Sequence, residues 1–330
     1  MTRSLLTLAV CLLGALAGGC TEPAAERFQF TRVYMGVSTR ITVEAPAREV
    51  AASAAEAAFH RIGEIEDVAS DYRPSSELMR LCRAARLAEW QPVSRDLALL
   101  LATAREVSSR SGGAFDVTVG PAVQLWRKMR QSGIASNPDE RAAALHRIDW
   151  SAVEVTVTPP AVRLMKPGML LDLGGIAKGY AAREAGRVLE QRGLERCLVS
   201  IAGDVYAGEA PTGTGGWRVE VSGGGASGVL IARNACISTA GNTDQFIELG
   251  GTRYGHIVDP RTAMGTTTGA VVTAIGQDGA LVDACDTAAA VLGEHGARAA
   301  FATENRVTLI IHGADGFTII GDRARVRWSE

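Results

Sequence analysis

The 330-residue chain has few aromatic side chains, no excess of basic charge and no closely paired cysteines. Aromatic residues make up 5% of it and the formal net charge is −2 at pH 7, so the basic domain or stripe typical of nucleic-acid-binding proteins is missing. We therefore expect no nucleic-acid partner. With 47% hydrophobic and 21% charged residues, the composition excludes a disordered chain and allows one large domain or two smaller ones.

The cysteine pattern gives no support for a zinc site or a disulfide framework. Two of the six cysteines, Cys11 and Cys20, lie within the first twenty residues. The other four are widely spaced and form no C-x-x-C pair; they are Cys82, Cys197, Cys236 and Cys285. We expect these four to be free thiols, and the apolar segments around Cys197 and Cys236 favour buried ones.

Long apolar runs are missing after the first twenty residues, whereas the N-terminus has the three parts of an export signal. Arg3 provides the positive charge, Leu5 to Leu16 form an apolar stretch too short for a comfortable membrane span, and small residues follow at 17–19. Cys20 comes directly after them, as in bacterial lipoprotein signals, where this cysteine becomes the lipidated first residue. A plain secretory signal remains the alternative.

The domain prediction follows from this N-terminus. Residues 1–19 are predicted to be the lipoprotein signal peptide, 20–27 a polar tether, and 28–330 one domain. The mature protein is then expected in the periplasm, held to a bacterial membrane by the lipid on Cys20.

Hydrophobic spacing predicts helices and strands in no regular alternation. Helices are predicted at 47–69, from a Ser94 cap to residue 110, at 177–193 and at 280–292, with a loop and a short helix at 128–145. Strands are predicted at 41–44, 197–201, 217–221, 229–233, 270–275, 307–311, 317–320 and 324–328. Because a βαβ rhythm is missing, we predict an α+β fold rather than a doubly wound one.

A glycine-rich turn precedes the helix predicted at 177–193. Its sequence, DLGGIAKGY at 172–180, places Asp172, paired glycines and Lys178 at the point where the helix begins. Glycines allow a ligand close to the backbone, and a helix N-terminus offers free N–H groups to an anion. A simple glycine turn with a surface lysine explains the same letters.

Two carboxylates and a hydroxyl share one face of the last predicted helix. Asp283, Asp286 and Thr287 stand at helical positions i, i+3 and i+4 and have no neighbouring His or Cys. Oxygen ligands of this kind suit Mg²⁺ rather than zinc. A solvated acidic helix start is the alternative.

Two further segments carry candidate groups. His256 lies in a stretch rich in turn residues, where an imidazole is suited to proton transfer or phosphate contact, or is merely structural. The loop at 111–121 places Phe115 beside Asp116, so a flat ring ligand near Phe115 and ordinary core packing are both open.

Taken together and in this order, the motifs resemble those of the ApbE-type FAD:protein FMN transferases, bacterial enzymes that flavinylate exported proteins. The resemblance runs from about residue 28 to the end, and seven motifs in register make it specific. They are YMG at 34–36, DYRPSSEL at 71–78, GGAFDVTVGP at 112–121, DLGGIAKGY at 172–180, IST at 237–239, HIVDPRT at 256–262 and DACDTAAAVLG at 283–293.

The resemblance implies a single ApbE-type α+β domain with mixed sheets and packed helices, and it implies a role for each matching residue. Flavin-nucleotide contacts are implied for Met35, Tyr72, Ala114, Phe115, Asp116, Asp172, Lys178 and Ile257. Mg²⁺ ligands are implied for Gly175, through its carbonyl, and for Asp283, Asp286 and Thr287. A catalytic role is implied for His256.

The chain departs from the family pattern at three places. Val37 replaces the usual Thr, Ala240 replaces Ser and is followed by 242–244 (NTD), and Ala263 replaces Gly. The changes at Ala240 and Ala263 lie where the family pattern would bind the acceptor or position His256. Such changes also fit a dedicated subfamily serving one partner, such as the NosX-like members.

The implied reaction moves FMN from FAD, the substrate, to a Thr or Ser hydroxyl of an exported or membrane acceptor protein, with Mg²⁺ as cofactor and AMP released. Mg²⁺-dependent hydrolysis of FAD to FMN and AMP, with water as the acceptor, is the second interpretation. A lipoprotein that binds FAD without reacting is the third. Metal ligands at the pyrophosphate favour catalysis over simple binding.

Overall fold

A computed structural model describes residues 25–241, 246–313 and 316–329. The predicted signal peptide and Cys20 lie outside the described residues, as do residues 242–244 of the altered motif. The first strand begins at Glu26, two residues before the predicted domain start, because residues 26 and 27 already pair with the second strand. Within the described part of the chain, no helix is long and apolar enough to cross a membrane.

The regular elements alternate irregularly along the chain. The helices are α1 (Arg48–Ala69), α2 (Glu77–Ala84), α3 (Arg95–Arg110), α4 (Gly120–Ser132), α5 (Pro138–Leu145), α6 (Ala177–Gln191) and α7 (Gly279–Phe301). The strands are β1 (Glu26–Tyr34), β2 (Val37–Ala45), β3 (Gln91–Pro92), β4 (Val153–Val157), β5 (Pro160–Leu164), β6 (Cys197–Ile201), β7 (Asp204–Ala207), β8 (Trp217–Gly223), β9 (Ala226–Ala232), β10 (Ala235–Gly241), β11 (Phe246–Leu249), β12 (Thr252–Gly255), β13 (Val258–Asp259), β14 (Met264–Gly265), β15 (Val271–Gly276), β16 (Val307–Gly313) and β17 (Gly316–Ile320).

Eight strands form the largest sheet, in the order β1-β2-β6-β7-β10-β15-β16-β17, and every neighbouring pair is antiparallel. Helices α1, α6 and α7 pack on one face, where small residues such as Ala181 and Ala284 allow close approach. The β8–β9 hairpin packs on the opposite face through Trp217, Val219 and Val221. The predicted α+β class with packed helices is confirmed, whereas the strand pairs of the described sheets are all antiparallel rather than mixed.

The helices predicted at 47–69 and after Ser94 are confirmed as α1 and α3. Ser94 caps α3 by accepting a hydrogen bond from the Leu97 amide, 3.2 Å away. The helix predicted from 177 is confirmed as α6. All four described cysteines are free, as expected.

Three sequence predictions of secondary structure need correction. Most of 128–145 is helical rather than loop, because α4 runs to Ser132 on a buried face formed by Trp126 and Met129, and α5 follows. The helix predicted at 280–292 is confirmed as the first part of α7, which breaks at Gly293 where φ is 67°, but the second part, from there to Phe301, was not predicted. Residues 323–325 form a short 3₁₀ turn instead of a strand, because Asp322 caps them.

Candidate active site

A cleft of about 1030 Å³ lies where α6, α7, α4 and the ends of the large sheet meet. Its wall contains the predicted site residues Tyr72, Ala114, Phe115, Asp116, Asp172, Gly175, Lys178, His256, Ile257, Asp283, Asp286 and Thr287. The structure therefore brings together, in one cavity, residues that are separated by more than two hundred positions in the chain.

Met35 does not line this cleft. It occupies the turn between β1 and β2, where its φ is 51°, and its side chain packs against the main core. The left-handed turn conformation directs the chain into β2 at Val37 rather than toward the cavity. The flavin contact implied for Met35 stays a prediction.

The contact between α6 and α7 positions the acidic residues of the cleft. At the crossing, Gly179 and Gly279 face each other so closely that a Cβ on Gly179 would lie 2.2 Å from the Gly279 carbonyl oxygen. Only glycine permits this backbone contact at both positions. As a result, the Gly179 amide at the start of α6 donates a hydrogen bond of 2.9 Å to Asp283 Oδ2 on α7.

We call the group formed by Lys178, Asp283, Asp286 and Asp204 the acidic end; the first three line the cleft, and Asp204 is buried against Lys178. Lys178 Nζ donates to Asp204 Oδ2 and lies 4.0 Å from Asp283 Oδ2. Both oxygens of Asp286 and Oδ1 of Asp204 are buried without a hydrogen-bond partner among the described residues. Ser238 lies close enough to Asp286 to favour its ionised form, but no hydrogen bond of ordinary geometry joins them.

Burial and mutual repulsion perturb these groups. Burial, together with the Asp204 carboxylate, raises the pKa of Asp283 to about 7. Burial and the Asp283 carboxylate raise the pKa of Asp286 well above its usual range. Burial alone would lower the pKa of Lys178, but Asp204 and Asp283 raise it instead. Such strong perturbation at a cleft is typical of functional sites, because uncompensated buried carboxylates cost stability.

Gly175 and Thr287 lie side by side at the acidic end. A Cβ on Gly175 would lie 3.1 Å from Thr287 Oγ1, so the backbone of the glycine turn and the α7 hydroxyl border the same space. Among the described residues, no three His, Cys, Asp or Glu side chains are grouped as a metal site. A cation held here would therefore need a mixed shell of carboxylate, hydroxyl and carbonyl oxygens, which is usual for Mg²⁺.

We call a second part of the cleft, formed by Asp71, Tyr72, Arg127 and Asp172, the ring end. Tyr72 is 74% exposed, and the Arg127 guanidinium lies 3.9 Å from the centre of its ring. Arg127 also donates to Asp71 at 2.5 Å and lies 3.6 Å from Asp172. Burial and the Asp71 carboxylate raise the pKa of Asp172 to about 6. An exposed aromatic ring held by a guanidinium suits a flat ligand.

The loop between α3 and α4 brings Phe115 and Asp116 to the cleft in different roles. Asp116 is buried and accepts hydrogen bonds from the Thr118 amide at 2.7 Å and from the Trp150 amide at 3.0 Å. Its carboxylate therefore holds the loop, and a ligand would meet the backbone here rather than that side chain. Phe115 belongs to the main core and also lines the cleft next to Gly175. Core packing of this ring is therefore confirmed, and its contact with a flat ligand stays a prediction.

His256 is exposed in the cleft wall, between β12 and β13. The backbone around it is fixed by hydrogen bonds of 2.8 Å from the Thr266 amide to the Ile257 carbonyl and from the Gly255 amide to the Thr266 carbonyl. The following turn contains Ala263 at a φ of 54°. The glycine of the family pattern would take this conformation without strain, whereas alanine adopts it at some cost in energy.

Asp204 is the site residue that sequence reasoning missed. It follows a two-residue turn after β6, and its carboxylate lies against Lys178, 26 positions earlier in the chain. The sequence signal that could have pointed to Asp204 was its position directly after Gly203, between two apolar strands. Nothing in local spacing connects that acid to α6, because the pairing of β6 with β7 places it there.

Comparison with known proteins agrees with this geometry. The model of the ApbE family matches residues 35–311. The chain is 30% identical over 329 residues to the FAD:protein FMN transferase of Salmonella typhimurium, covering 94% of this chain and 93% of that protein. It is 32% identical over 275 residues to the protein of the same name from Treponema pallidum, covering 77% and 75%.

Solved structures share the fold. The flavin transferase ApbE from Vibrio cholerae superposes with a TM-score of 0.80 at 22% identity, covering 91% of this chain and 98% of that one. The apo flavinyl transferase ApbE from Pseudomonas stutzeri superposes with a TM-score of 0.76 at 24% identity, covering 90% and 94%. By its family-model match, its curated relatives and its fold, the chain belongs to the ApbE family.

Proposed function

We propose that this protein is an FAD:protein FMN transferase that moves FMN from FAD to a Thr or Ser hydroxyl of an exported acceptor protein and releases AMP. The observation that carries the proposal is the acidic end, where Asp283, Asp286 and Lys178 line the same cleft as the ring end and both Asp286 oxygens are buried without a hydrogen-bond partner among the described residues. The relatives named above carry the same activity in their names. One end suits a cation and phosphates, and the other suits a flat ring.

Mg²⁺ fits the residues of the acidic end. When all four groups are ionised, three carboxylates and the Lys178 ammonium leave two negative charges, which a divalent cation balances. Asp283, Asp286, Thr287 and the Gly175 carbonyl would hold it. When bound, Mg²⁺ supplies electrostatic stabilisation of the charge that develops on the departing AMP phosphate.

The residues of the chain then supply positioning and proton transfer. Tyr72 and Phe115 would hold the isoalloxazine ring, and Lys178 would orient the pyrophosphate. The acceptor hydroxyl oxygen forms a bond to the FMN phosphorus as the bond from that phosphorus to the AMP oxygen breaks. His256 would take the proton of the hydroxyl. Phosphoryl transfer needs little more than this placement and charge compensation.

One experiment separates transfer from its alternatives. Purified protein is incubated with FAD, Mg²⁺ and a candidate exported acceptor domain, and the mixture is examined for in-gel flavin fluorescence on the acceptor and for free FMN. Fluorescence on the acceptor supports the proposal. Free FMN with no labelled acceptor would make the protein a pyrophosphatase, and FAD binding with neither product would make it a carrier.

We also propose that the mature chain begins at a lipidated Cys20 and faces the periplasm. The support is the tripartite N-terminal sequence ending in cysteine, followed by the polar sequence TEPAAE at 21–26. Mass spectrometry of the mature N-terminus tests it. A mature chain that begins at any other residue would rule out the lipid anchor and leave the plain secretory signal.

A further inference from the structure

The β8–β9 hairpin has one occupied edge and one free edge. On the β9 side, the Ile231 amide donates to the Arg327 carbonyl at 2.7 Å, and the Ser329 amide donates to the Val229 carbonyl at 2.8 Å. Since backbone groups of successive strand residues point alternately to the two sides, Leu230 bonds toward β8 instead. Leu230 pairs with Val219, so the backbone groups of Val219 face β9.

The same alternation fixes which groups of β8 face outward. The N–H and C=O groups of Arg218, Glu220 and Ser222 point away from β9, and no backbone hydrogen bond to them exists within the described residues. All five residues of 218–222 line the cleft. Because side chains of successive residues point to opposite faces, an unbroken run of five means that the edge of β8, not one of its faces, borders the cavity.

The space beside this edge has an apolar floor. Leu198 of β6 and Val205 of β7 line the cleft there and are only partly buried at the margin of the core under the hairpin. A strand placed one sheet spacing, about 4.8 Å, from β8 would lie over this part of the large sheet. None of the predicted FAD or Mg²⁺ contacts lies on β8, β6 or the floor.

We propose that the segment of the acceptor protein that carries the modified hydroxyl docks in extended form as a third strand on the free edge of β8. This inference rests on the proposed function. Alternating N–H and C=O groups match a peptide backbone and not a nucleotide. The edge is continuous with the reaction site, because β8 and the acidic end line one cavity. Strand pairing also fixes register, which is what placing one hydroxyl at one phosphorus requires.

The docking mode predicts the chemistry of the acceptor segment. Side chains at alternate positions would face Leu198 and Val205, so apolar or small residues are expected there. The intervening side chains would lie on the outer face beside Arg218 and Glu220, so charged or polar residues are expected. Affinity would come mainly from main-chain hydrogen bonds, and selectivity from this alternation.

A single proline substitution on the free edge of β8 tests the proposal. Glu220→Pro removes an outward N–H and places a ring against the incoming strand, while the ladder to β9 is kept because residue 220 bonds on the other side. We expect the acceptor KM to rise about tenfold or more, as for the loss of one or two main-chain hydrogen bonds. The FAD dissociation constant and the rate of FAD hydrolysis without acceptor should stay at wild-type values. The matched control Glu220→Ala should keep the wild-type acceptor KM.

These experiments use the full-length enzyme and candidate exported acceptor domains. If the wild-type enzyme labels none of them, the proposed function itself is contradicted. If the wild type labels the acceptor and folded Glu220→Pro has an unchanged acceptor KM, the docking proposal is wrong.

Amide hydrogen exchange of the wild-type enzyme provides a second measurement that does not depend on the variant folding. With a synthetic twelve-residue peptide around the modified residue of that acceptor, the amides of Arg218, Glu220 and Ser222 should slow, while those of Val219 and Val221 are protected throughout. Unchanged exchange at the three outward amides would overturn the proposal. Protection without peptide that rises with enzyme concentration would assign the edge to a second copy instead.

Discussion

The two ends of the cleft are built in opposite ways. At the acidic end, Asp283 and Asp286 are 2% and 0% exposed and stand on a long helix locked against α6. At the ring end, Tyr72 is 74% exposed and lies in the irregular segment between α1 and α2. For the proposed function, this difference means that the groups for charge compensation would be preorganised, whereas the groups proposed to contact the ring could still be adjusted by a ligand.

The largest effect is expected from removing a carboxylate at the rigid end. Asp283→Ala should lower transfer by ~1000-fold or more, since several kcal/mol of transition-state stabilisation depends on the cation held there. The fold should survive, because the change also removes repulsion from Asp204. Transfer assays over a range of Mg²⁺ concentrations, with circular dichroism, check this. Glu294→Ala, at an exposed position of α7, is the control. Normal transfer by folded Asp283→Ala at low Mg²⁺ would place the metal elsewhere.

A second prediction concerns His256, which is exposed but lies in the same cleft. His256→Ala should lower the rate of transfer by roughly 100-fold to 10,000-fold, the usual contribution of a general base, while FAD affinity stays near the wild-type value. Stopped assays of transfer and fluorescence titration with FAD measure the two quantities separately. His60→Ala, at an exposed position on α1, is the control. Transfer at the wild-type rate by His256→Ala would leave this residue with a structural role only.

A third prediction uses the pH dependence of the ring end. The pKa of Asp172 is raised to about 6 in the folded protein, against about 3.9 when unfolded, so the folded state loses stability as pH rises through this window. Asp172→Asn should therefore increase the free energy of unfolding by ~3 kcal/mol at pH 7 and by little at pH 4. Urea unfolding at both pH values checks the sign. If Asp172→Asn changed the free energy of unfolding equally at pH 4 and pH 7, the raised pKa of Asp172 would be wrong.

The smallest effect is expected from Arg127. Arg127→Ala removes the cation over the Tyr72 ring, an interaction worth about 1 kcal/mol at such sites, and should weaken FAD binding roughly fivefold with little change in kcat. Fluorescence titration measures the affinity. Lys128→Ala, at the next and exposed position of α4, is the control. A large fall in kcat with unchanged affinity would mean that the ring end takes part in the reaction itself.

The sequence alone predicted the acidic end better than its surroundings. The i, i+3, i+4 spacing of Asp283, Asp286 and Thr287 is a local property of a helix, so it could be recognised without the fold. Asp204 escaped because its place beside Lys178 depends on how two strands pair. Arg127 was missed for a similar reason, since its place beside Tyr72 depends on how α4 packs against the distant segment between α1 and α2.

The same distinction applies to the fold. Long helices with clear caps, such as α3 after Ser94, were predicted because capping and periodicity act within a few residues. The sheet order and the packing of β8 across the face opposite the helices were not predicted. They depend on contacts between distant segments, which no local pattern records.

The glycine contact between α6 and α7 also bears on how molecules enter and leave. Because Gly179 and Gly279 touch through their backbones, the two helices have no room to slide past each other and open the acidic end from behind. FAD and AMP should therefore enter and leave the cleft past the exposed Tyr72 or past the edge of β8. We expect FAD to enter with its phosphates travelling deepest, and AMP to leave along a route that the bound acceptor segment narrows.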